Sequence, residues 1–308
     1  MTTSDPRLPL HLRRNAVHEG WSDDELGRLV RSGELARLRR GAYVNALLPA
    51  DPAERHRLLV GATLAGLRLR AVVSHQSAAV LHGLPLWDVP LDRVHVTRRP
   101  PASNDTGRVL RCHVARLRDD EIEEVDGLPV TSLARTALDL ARSLPHEAAV
   151  VALDAALRRG RLSHDVLRAR LFDLAGAPGS RAAARAVDFA DGRSESVGES
   201  RSRVLLHRWG VGPSSLQFEV RGEGGLLVAR TDFAWEEHGL VGEFDGRVKY
   251  GRLLRPGQDP GDAVFEEKRR EDAVREEGLG VVRWVWADLG AGHRLAARVR
   301  RAQERGRR

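Results

Sequence analysis

The sequence predicts an α/β protein of several domains. The chain has 308 residues, which is more than one domain of ordinary size requires. Helix-period and strand-period segments alternate along it, and their order changes near residue 50 and again near residue 192. Hydrophobic residues make up 42% and charged residues 30%, so each part can bury a core. We therefore predict three domains, over residues 1–50, 51–192 and 193–308.

Residues 8–46 predict the order helix, turn, helix and hairpin. Ser22 and Glu25 have capping-box spacing at the start of the second helix, and Gly33 is placed to end it. Leu35 to Val44 then predict two strands around Gly41. This is the order of a winged helix-turn-helix, in which a helix enters the major groove and the hairpin meets phosphates. The candidate DNA-binding residues are Arg31, Arg37, Arg39 and Arg40. The alternative is a small helical domain with a solvated basic hairpin.

Residues 51–192 predict a mixed α/β half followed by a helical half. Helices are expected over 52–69, 74–81, 132–143, 146–159, 164–174 and 180–190, and strands over 71–73, 94–97, 109–114 and 122–125. The single cysteine, Cys112, is expected to fill core space in a strand. Four histidines invite a metal interpretation, but their spacings match no known ligand pattern, so ordinary buried or surface histidines are favoured. They are His75, His82, His95 and His113.

Residues 193–308 predict an αβββαβ order. The helices are expected over 199–209 and 262–277, with a last one near Asp288, and the strands over 216–220, 226–235, 240–245 and 280–286. Glu243 and Asp245 alternate on one strand, so they point to the same face. Asp232 lies on the neighbouring strand, and Glu199 on the preceding helix could add a fourth acid.

Carboxylates that converge at strand ends repel one another unless a cation neutralises them. Mg²⁺ or Mn²⁺ binds carboxylate and phosphate oxygens together, which is the usual composition of a phosphodiester-cleaving site. The catalytic candidates are Asp232, Glu243, Asp245, Lys249 and Glu199. The alternative is that the strand acids are exposed on an edge hairpin.

Lysine is rare in this chain, which has 48 Arg and 2 Lys. An ammonium group can take part in proton chemistry that a guanidinium cannot, so the two lysines are candidates for a catalytic role. Lys249 follows the acidic strand and could act on a metal-bound water or steady the leaving phosphate. Lys268 lies on a charged helix face, where an ordinary solvated position is favoured.

The C-terminal third resembles the Vsr-like branch of the PD-(D/E)XK nuclease superfamily. The matching stretches are 199–203, 231–233, 242–246 and 267–272. The resemblance implies a restriction-endonuclease-like core, with Asp232 and Glu243 as metal ligands and Glu199 as the helix acid. The lysine of the family's final motif is replaced here by Asp245, so Lys249 or Lys268 would have to substitute for it.

The first 50 residues resemble the winged-helix domain of type IV toxin–antitoxin antitoxins of the AbiEi group. The resemblance rests on Leu29–Val44, and Ser74–Ala79 with Leu81–Leu84 extend it into the middle region. It implies binding to operator DNA and an accompanying toxin locus. The net charge of +7 is compatible with double-stranded DNA as the partner.

Two functions remain open at this stage. The first is a metal-dependent DNA endonuclease with an N-terminal DNA-reading module. The alternative is an antitoxin-like transcriptional regulator with an inactive nuclease-like domain. No run of about 18 apolar residues and no signal peptide are evident, so the sequence predicts a cytoplasmic protein without a membrane partner.

Overall fold

The computed structural model describes residues 10–45, 48–67, 71–103, 105–160, 162–246 and 260–306, with the backbone alone for 105–106 and 260–267. It divides into two compact units, residues 1–144 with 166–183, and residues 145–165 with 184–308. This division does not follow the limits at residues 50 and 192, which stay predictions about domains. The mixed α/β class with several domains is confirmed.

Most elements lie close to their expected positions, but the strands at Leu10–Leu12, Asp105–Thr106 and Leu128–Thr131 were not predicted. The helices are α1 (Arg13–His18), α2 (Asp23–Ser32), α3 (Pro52–Gly66), α4 (His75–Leu81), α5 (Leu133–Ser143), α6 (His146–Arg158), α7 (His164–Asp173), α8 (Ser180–Phe189), α9 (Val197–Arg208), α10 (Pro260–Glu276), α11 (Trp286–Leu289) and α12 (Gly292–Gly306). The strands are β1 (Leu10–Leu12), β2 (Leu35–Arg39), β3 (Ala42–Asn45), β4 (Val72–Val73), β5 (Val94–Arg98), β6 (Asp105–Thr106), β7 (Leu110–Val114), β8 (Ile122–Val125), β9 (Leu128–Thr131), β10 (Ser215–Arg221), β11 (Leu227–Trp235), β12 (Leu240–Asp245) and β13 (Gly280–Val285). Within the described residues, no helix has the length and apolar character that crossing a bilayer requires.

The N-terminal segment is a small three-stranded sheet, ordered β1-β3-β2, with two short helices. The predicted capping box is confirmed, since the Glu25 backbone N–H donates to Ser22 Oγ at 3.2 Å and the Ser22 N–H donates to Glu25 Oε2 at 2.7 Å. Gly33 ends α2 in the left-handed region, at φ +80°. Leu26 and Leu35 pack together under α2, which fixes this helix against the hairpin.

The rest of the first unit is built on a six-stranded sheet with the order β6-β7-β5-β4-β9-β8. Its core contains Val73, Val96, Val130 and Cys112. Burial of Cys112 at 5% exposure confirms its prediction as core filler. Strand β9 was not predicted, and the sheet acquires it through a hairpin at Asp126 and Gly127, both of which have positive φ.

The second unit carries a four-stranded sheet with the order β10-β11-β12-β13, in which β12 and β13 run parallel. One face packs against α9 and α12 through Leu206, Val299, Phe233 and Trp284. The other face packs against α10 through a smaller cluster that includes Val274 and Val241. The sheet is therefore covered on both faces, which leaves its polar groups at strand ends and edges.

A buried ion pair fixes α9 against α6 in this unit. Asp154 is fully buried, and Arg203 Nη2 donates to its two carboxylate oxygens at 2.9 and 2.8 Å. The backbone N–H of Asp191 donates to the same carboxylate at 2.7 Å. This anchors the helix that carries Glu199, so the position of that acid depends on a charge pair away from it.

Candidate functional site

Asp232 lies on β11, at a position where the regular pairing of this strand with its two neighbours, β10 and β12, is interrupted. It faces Gln217, at the position between the paired residues Leu216–Phe233 and Phe218–Thr231. Gln217 has φ +52°, a conformation that an L-residue adopts only when its surroundings enforce it. Pairing of β11 with β12 ends beside Asp232, whose Oδ2 accepts the backbone N–H of Phe244 at 2.8 Å. The carboxylate thus replaces a strand partner.

Burial, followed by the negative charges of Glu199 and Glu243, raises the pKa of Asp232 to about 7. The hydrogen bond from Phe244 and the charge of Arg270 act in the opposite direction. A carboxyl group whose ionisation is opposed by burial and by other acids is the type of group that a bound cation would stabilise.

Glu199 lies at the start of α9 and is 8% exposed. Its Oε2 accepts the Gln217 side-chain amide at 2.9 Å and the Glu195 backbone N–H at 2.8 Å. Burial raises its pKa as well. Gln217 occupies the strand position that faces Asp232, and its side-chain amide binds Glu199. It therefore links the two acids. Sequence reasoning missed this glutamine, because its role depends on a local irregularity in the strand.

Glu243 was expected to be one of several carboxylates that a cation neutralises, but it forms ion pairs with two arginines. Its Oε1 lies 2.7 Å from Arg270 Nη2 on α10, and its Oε2 lies 2.8 Å from Arg283 Nε on β13. Glu243 and Arg283 are register partners in the β12–β13 pair. Two guanidinium groups already neutralise this carboxylate, so metal ligation would require them to move. Its assignment as a ligand stays a prediction.

The remaining acidic and lysine candidates are at exposed positions or outside the described residues. Asp245 is exposed at the end of β12, on the same strand face as Glu243. Lys249 lies outside the described residues. Lys268 is exposed on α10, which confirms the interpretation of a solvated position. Asp232 and Glu199 are therefore the pair on which a metal-site argument can rest.

We expect the stability of the second unit to fall as the pH rises from about 4 to about 7 in EDTA. The folded Asp232 keeps its proton up to a pKa of about 7, whereas the unfolded carboxyl loses it near 3.8. Between those values the folded state binds more protons, so raising the pH favours unfolding, by roughly 4 kcal/mol at most. Urea denaturation at several pH values measures this. Asp232→Asn should remove this part of the slope, and an unchanged slope would contradict the shifted pKa.

The four arginines predicted to bind DNA are in two kinds of environment. Arg31 at the end of α2, Arg37 on β2 and Arg40 in the hairpin turn are exposed. Arg39 turns inward, where its Nη2 donates to the Ala62 carbonyl on α3 at 2.5 Å, and burial lowers its pKa. Arg39 therefore holds the hairpin to α3, and we leave it out of the proposed DNA interface.

Three of the four histidines singled out above lie together in the first unit. One possible ligand atom from each of His75, His95 and His113 lies within 4.8 Å of the others, and within the described ranges no other group of three or more His, Cys, Asp or Glu does this. Burial, followed by the charges of neighbouring basic groups, lowers the pKa of all three, to about 3 for His95 and about 4 for His113. His82 is elsewhere, with Nε2 at 2.8 Å from the Thr131 carbonyl.

Comparison with known proteins gives a family match and several similar proteins. A family model described as AbiEi antitoxin C-terminal domain matches residues 70–190. Two proteins of Mycobacterium tuberculosis, "Uncharacterized protein MT2308" (strain CDC 1551 / Oshkosh) and "Uncharacterized protein Rv2248" (strain ATCC 25618 / H37Rv), are each 32% identical over 187 residues. These residues are 60% of this chain and 66% of each relative, slightly less than two thirds of their length.

Similarity to a solved structure is also found. The crystal structure of the RV2827C protein from Mycobacterium tuberculosis superposes with a TM-score of 0.40 and 17% identity, over 59% of this chain and 72% of that one. The predicted AbiEi resemblance of Ser74–Ala79 and Leu81–Leu84 lies inside the family match and is confirmed there. The family similarity of this chain is therefore to the AbiEi antitoxin C-terminal domain, and it covers residues 70–190.

Proposed function

We propose that the protein is an antitoxin-type regulator that binds double-stranded operator DNA, next to the gene of a partner toxin. The observation that carries the proposal is the cluster of exposed arginines on α2 and the β2–β3 hairpin, in a chain whose residues 70–190 match an antitoxin domain. The cluster consists of Arg31, Arg37 and Arg40. In a winged helix-turn-helix, these positions are the end of the recognition helix and the wing.

Charge along α2 indicates which end would approach DNA. The first turn holds Asp23, Asp24 and Glu25, which would repel phosphates. Arg13 neutralises only Asp23, through two contacts of 2.6 Å. The last turn carries Arg31, and the hairpin that follows adds exposed positive charge. The proposed interface is therefore the C-terminal part of α2 together with the hairpin tip.

Replacing Arg37 and Arg40 together with Ala should weaken binding to a duplex taken from upstream of the protein's own gene. Each lost phosphate contact lowers the slope of log affinity against log salt by about 0.9, so the double variant should lose up to about 2 in slope. Fluorescence anisotropy between low and moderate salt measures both quantities. The affinity for unrelated duplex should fall by a similar factor, because phosphate contacts carry no sequence information.

The matched control is Arg181→Ala with Arg185→Ala, two exposed arginines on α8. This variant loses the same charge, so a general electrostatic effect would lower its affinity equally. If the two double variants bind with the same affinity and the same slope, the hairpin is not the interface. If the wild-type protein does not prefer the upstream duplex to unrelated DNA, the regulator proposal fails.

A second candidate function is supported by the Asp232–Glu199 pair. Both carboxyl groups are largely buried with raised pKa values, and their hard oxygen donors match Mg²⁺ or Mn²⁺. When bound there, the ion would supply phosphate polarisation and an activated water. Asp232 and Glu199 would hold the ion, Gln217 would orient Glu199, and Asp245 would lie at the open strand end. This candidate is a metal-dependent DNA endonuclease, tested by nicking of supercoiled plasmid with Mg²⁺ or Mn²⁺ against EDTA.

A further inference from the structure

We propose that His75, His95 and His113 form a binding site for a divalent transition-metal ion of the Zn²⁺ class. The site lies in the first unit, within the residues that match the antitoxin domain. It is separate in chemistry from the carboxylate pair, because its donors are imidazole nitrogens. It is also independent of both proposed functions, since it uses none of their residues.

The spacing of the nitrogens suits a single ion. His113 Nε2 and His95 Nδ1 are 3.1 Å apart, and all three ligand atoms are within 4.8 Å of one another. In a tetrahedral site with Zn–N bonds of about 2.0–2.1 Å, neighbouring nitrogens are about 3.3 Å apart. The His75 and His113 rings stack at 3.8 Å between centroids with 13° between their planes, so the His75 ring would have to rotate to direct a nitrogen at the same ion.

The donor set selects the type of ion. Three imidazoles and no carboxylate suit Zn²⁺, Cu²⁺ or Ni²⁺, whereas Mg²⁺ and Ca²⁺ require oxygen ligands. Burial favours the neutral form of these rings, which is the form that ligates metals. Positive charge from Arg111 lowers the pKa of His95 and His113, and Arg135 acts in the same way on His75. These arginines would favour an anionic or water-derived fourth ligand over a second cation.

The surrounding structure fixes the rings from three different elements. His75 is the first residue of α4, has φ +52°, and has its Nδ1 at 3.0 Å from Ser74 Oγ. His95 lies on β5, where its backbone N–H donates to Ser77 Oγ at 2.8 Å. His113 lies on β7, the parallel neighbour of β5. Ligands on rigid elements need little ordering when the ion binds.

A simple hydrogen bond between His113 and His95 would explain one of these contacts without a metal. It would not explain why a third histidine, His75, has a positive φ and stacks on His113. Backbone strain of this kind costs about 1–3 kcal/mol and persists where the surroundings enforce it. Metal binding is the role that uses all three side chains together.

The test is Zn²⁺ binding to the untagged full chain, stripped with EDTA and then freed of it. All variants are made in Asp232→Asn protein, so that the carboxylate pair does not bind the added ion. Competition with a chromogenic chelator measures the affinity and the stoichiometry of Zn²⁺ binding. One ion per chain is expected. His113→Gln should weaken binding at least about 10-fold, the size of effect known even for residues that only support a ligand. The matched control, His18→Gln, removes an exposed histidine and should leave the affinity unchanged.

Two further measurements do not depend on the stability of the variants. Zn²⁺ should raise the unfolding temperature of the parent protein, which is the Asp232→Asn chain with all three histidines intact, by mass action. X-ray absorption at the zinc edge of the same protein should show three imidazole ligands. Absence of stoichiometric binding to the parent protein overturns the proposal. Equal affinity of His113→Gln and His18→Gln overturns it as well, as does a zinc-edge spectrum dominated by carboxylate oxygens.

Discussion

Asp154→Ala is expected to lower the free energy of unfolding of the second unit by about 3–5 kcal/mol, because it leaves the Arg203 guanidinium buried without its counter-charge. Arg203 is 8% exposed, and Asp154 supplies both of the carboxylate oxygens that it contacts. Urea denaturation followed by tryptophan fluorescence measures the loss, since Trp235 and Trp284 are buried in this unit. The Asp191 N–H would lose its acceptor in the same variant.

The control replaces both charges. Asp154→Leu with Arg203→Met keeps similar volume and removes the uncompensated charge, so it should recover most of the lost stability. If Asp154→Ala alone costs less than about 1 kcal/mol, water reaches Arg203 and the pair is not buried in solution. If the double variant is as unstable as the single one, the loss comes from packing rather than from charge.

Much of the second unit could be predicted because its signals are local. Strand β12 was predicted over Leu240–Asp245 and has those limits, since Phe244 alternates with the acids on either side of it and Gly246 follows the strand. Helix α9 begins one residue after Ser196, whose side chain caps it by accepting the Glu199 N–H at 3.1 Å. Such patterns depend on neighbours in sequence. The largest miss, β9, is a four-residue strand containing Pro129, which gives little alternation to detect.

The candidate sites were harder to predict because their geometry is non-local. Alternation correctly placed Glu243 and Asp245 on one face, but it could not show that Arg270 and Arg283 come to that face from α10 and β13. Arg39 has the same residue type as the three exposed arginines of α2 and the hairpin, and it differs from them in having α3 beside it. The outer two histidines, at positions 75 and 113, are 38 positions apart in sequence, and the group shows no ligand spacing because three separate elements supply it.

Asp232→Asn is expected to reduce Mg²⁺-dependent plasmid nicking by at least about 100-fold, if the second candidate function holds. The asparagine keeps an oxygen that can accept the Phe244 N–H, so the strand arrangement should survive. It removes the charge that the ion would bind. The same variant should be more stable than wild type in EDTA at pH 8, because wild type must then ionise a buried carboxyl whose pKa is about 7.

The combination of these two results distinguishes a metal site from an ordinary acidic patch. The matched control is Glu276→Gln, which makes the same charge change at an exposed position of α10 and should alter neither nicking nor stability. In a functional cation site, the charge that binds the ion destabilises the metal-free protein. Asp232→Asn should therefore lose activity and gain stability together. Nicking that persists in Asp232→Asn removes this residue from catalysis. A variant that is no more stable than wild type shows that the Asp232 carboxylate is already neutralised by the protein itself, in which case no cation is required there.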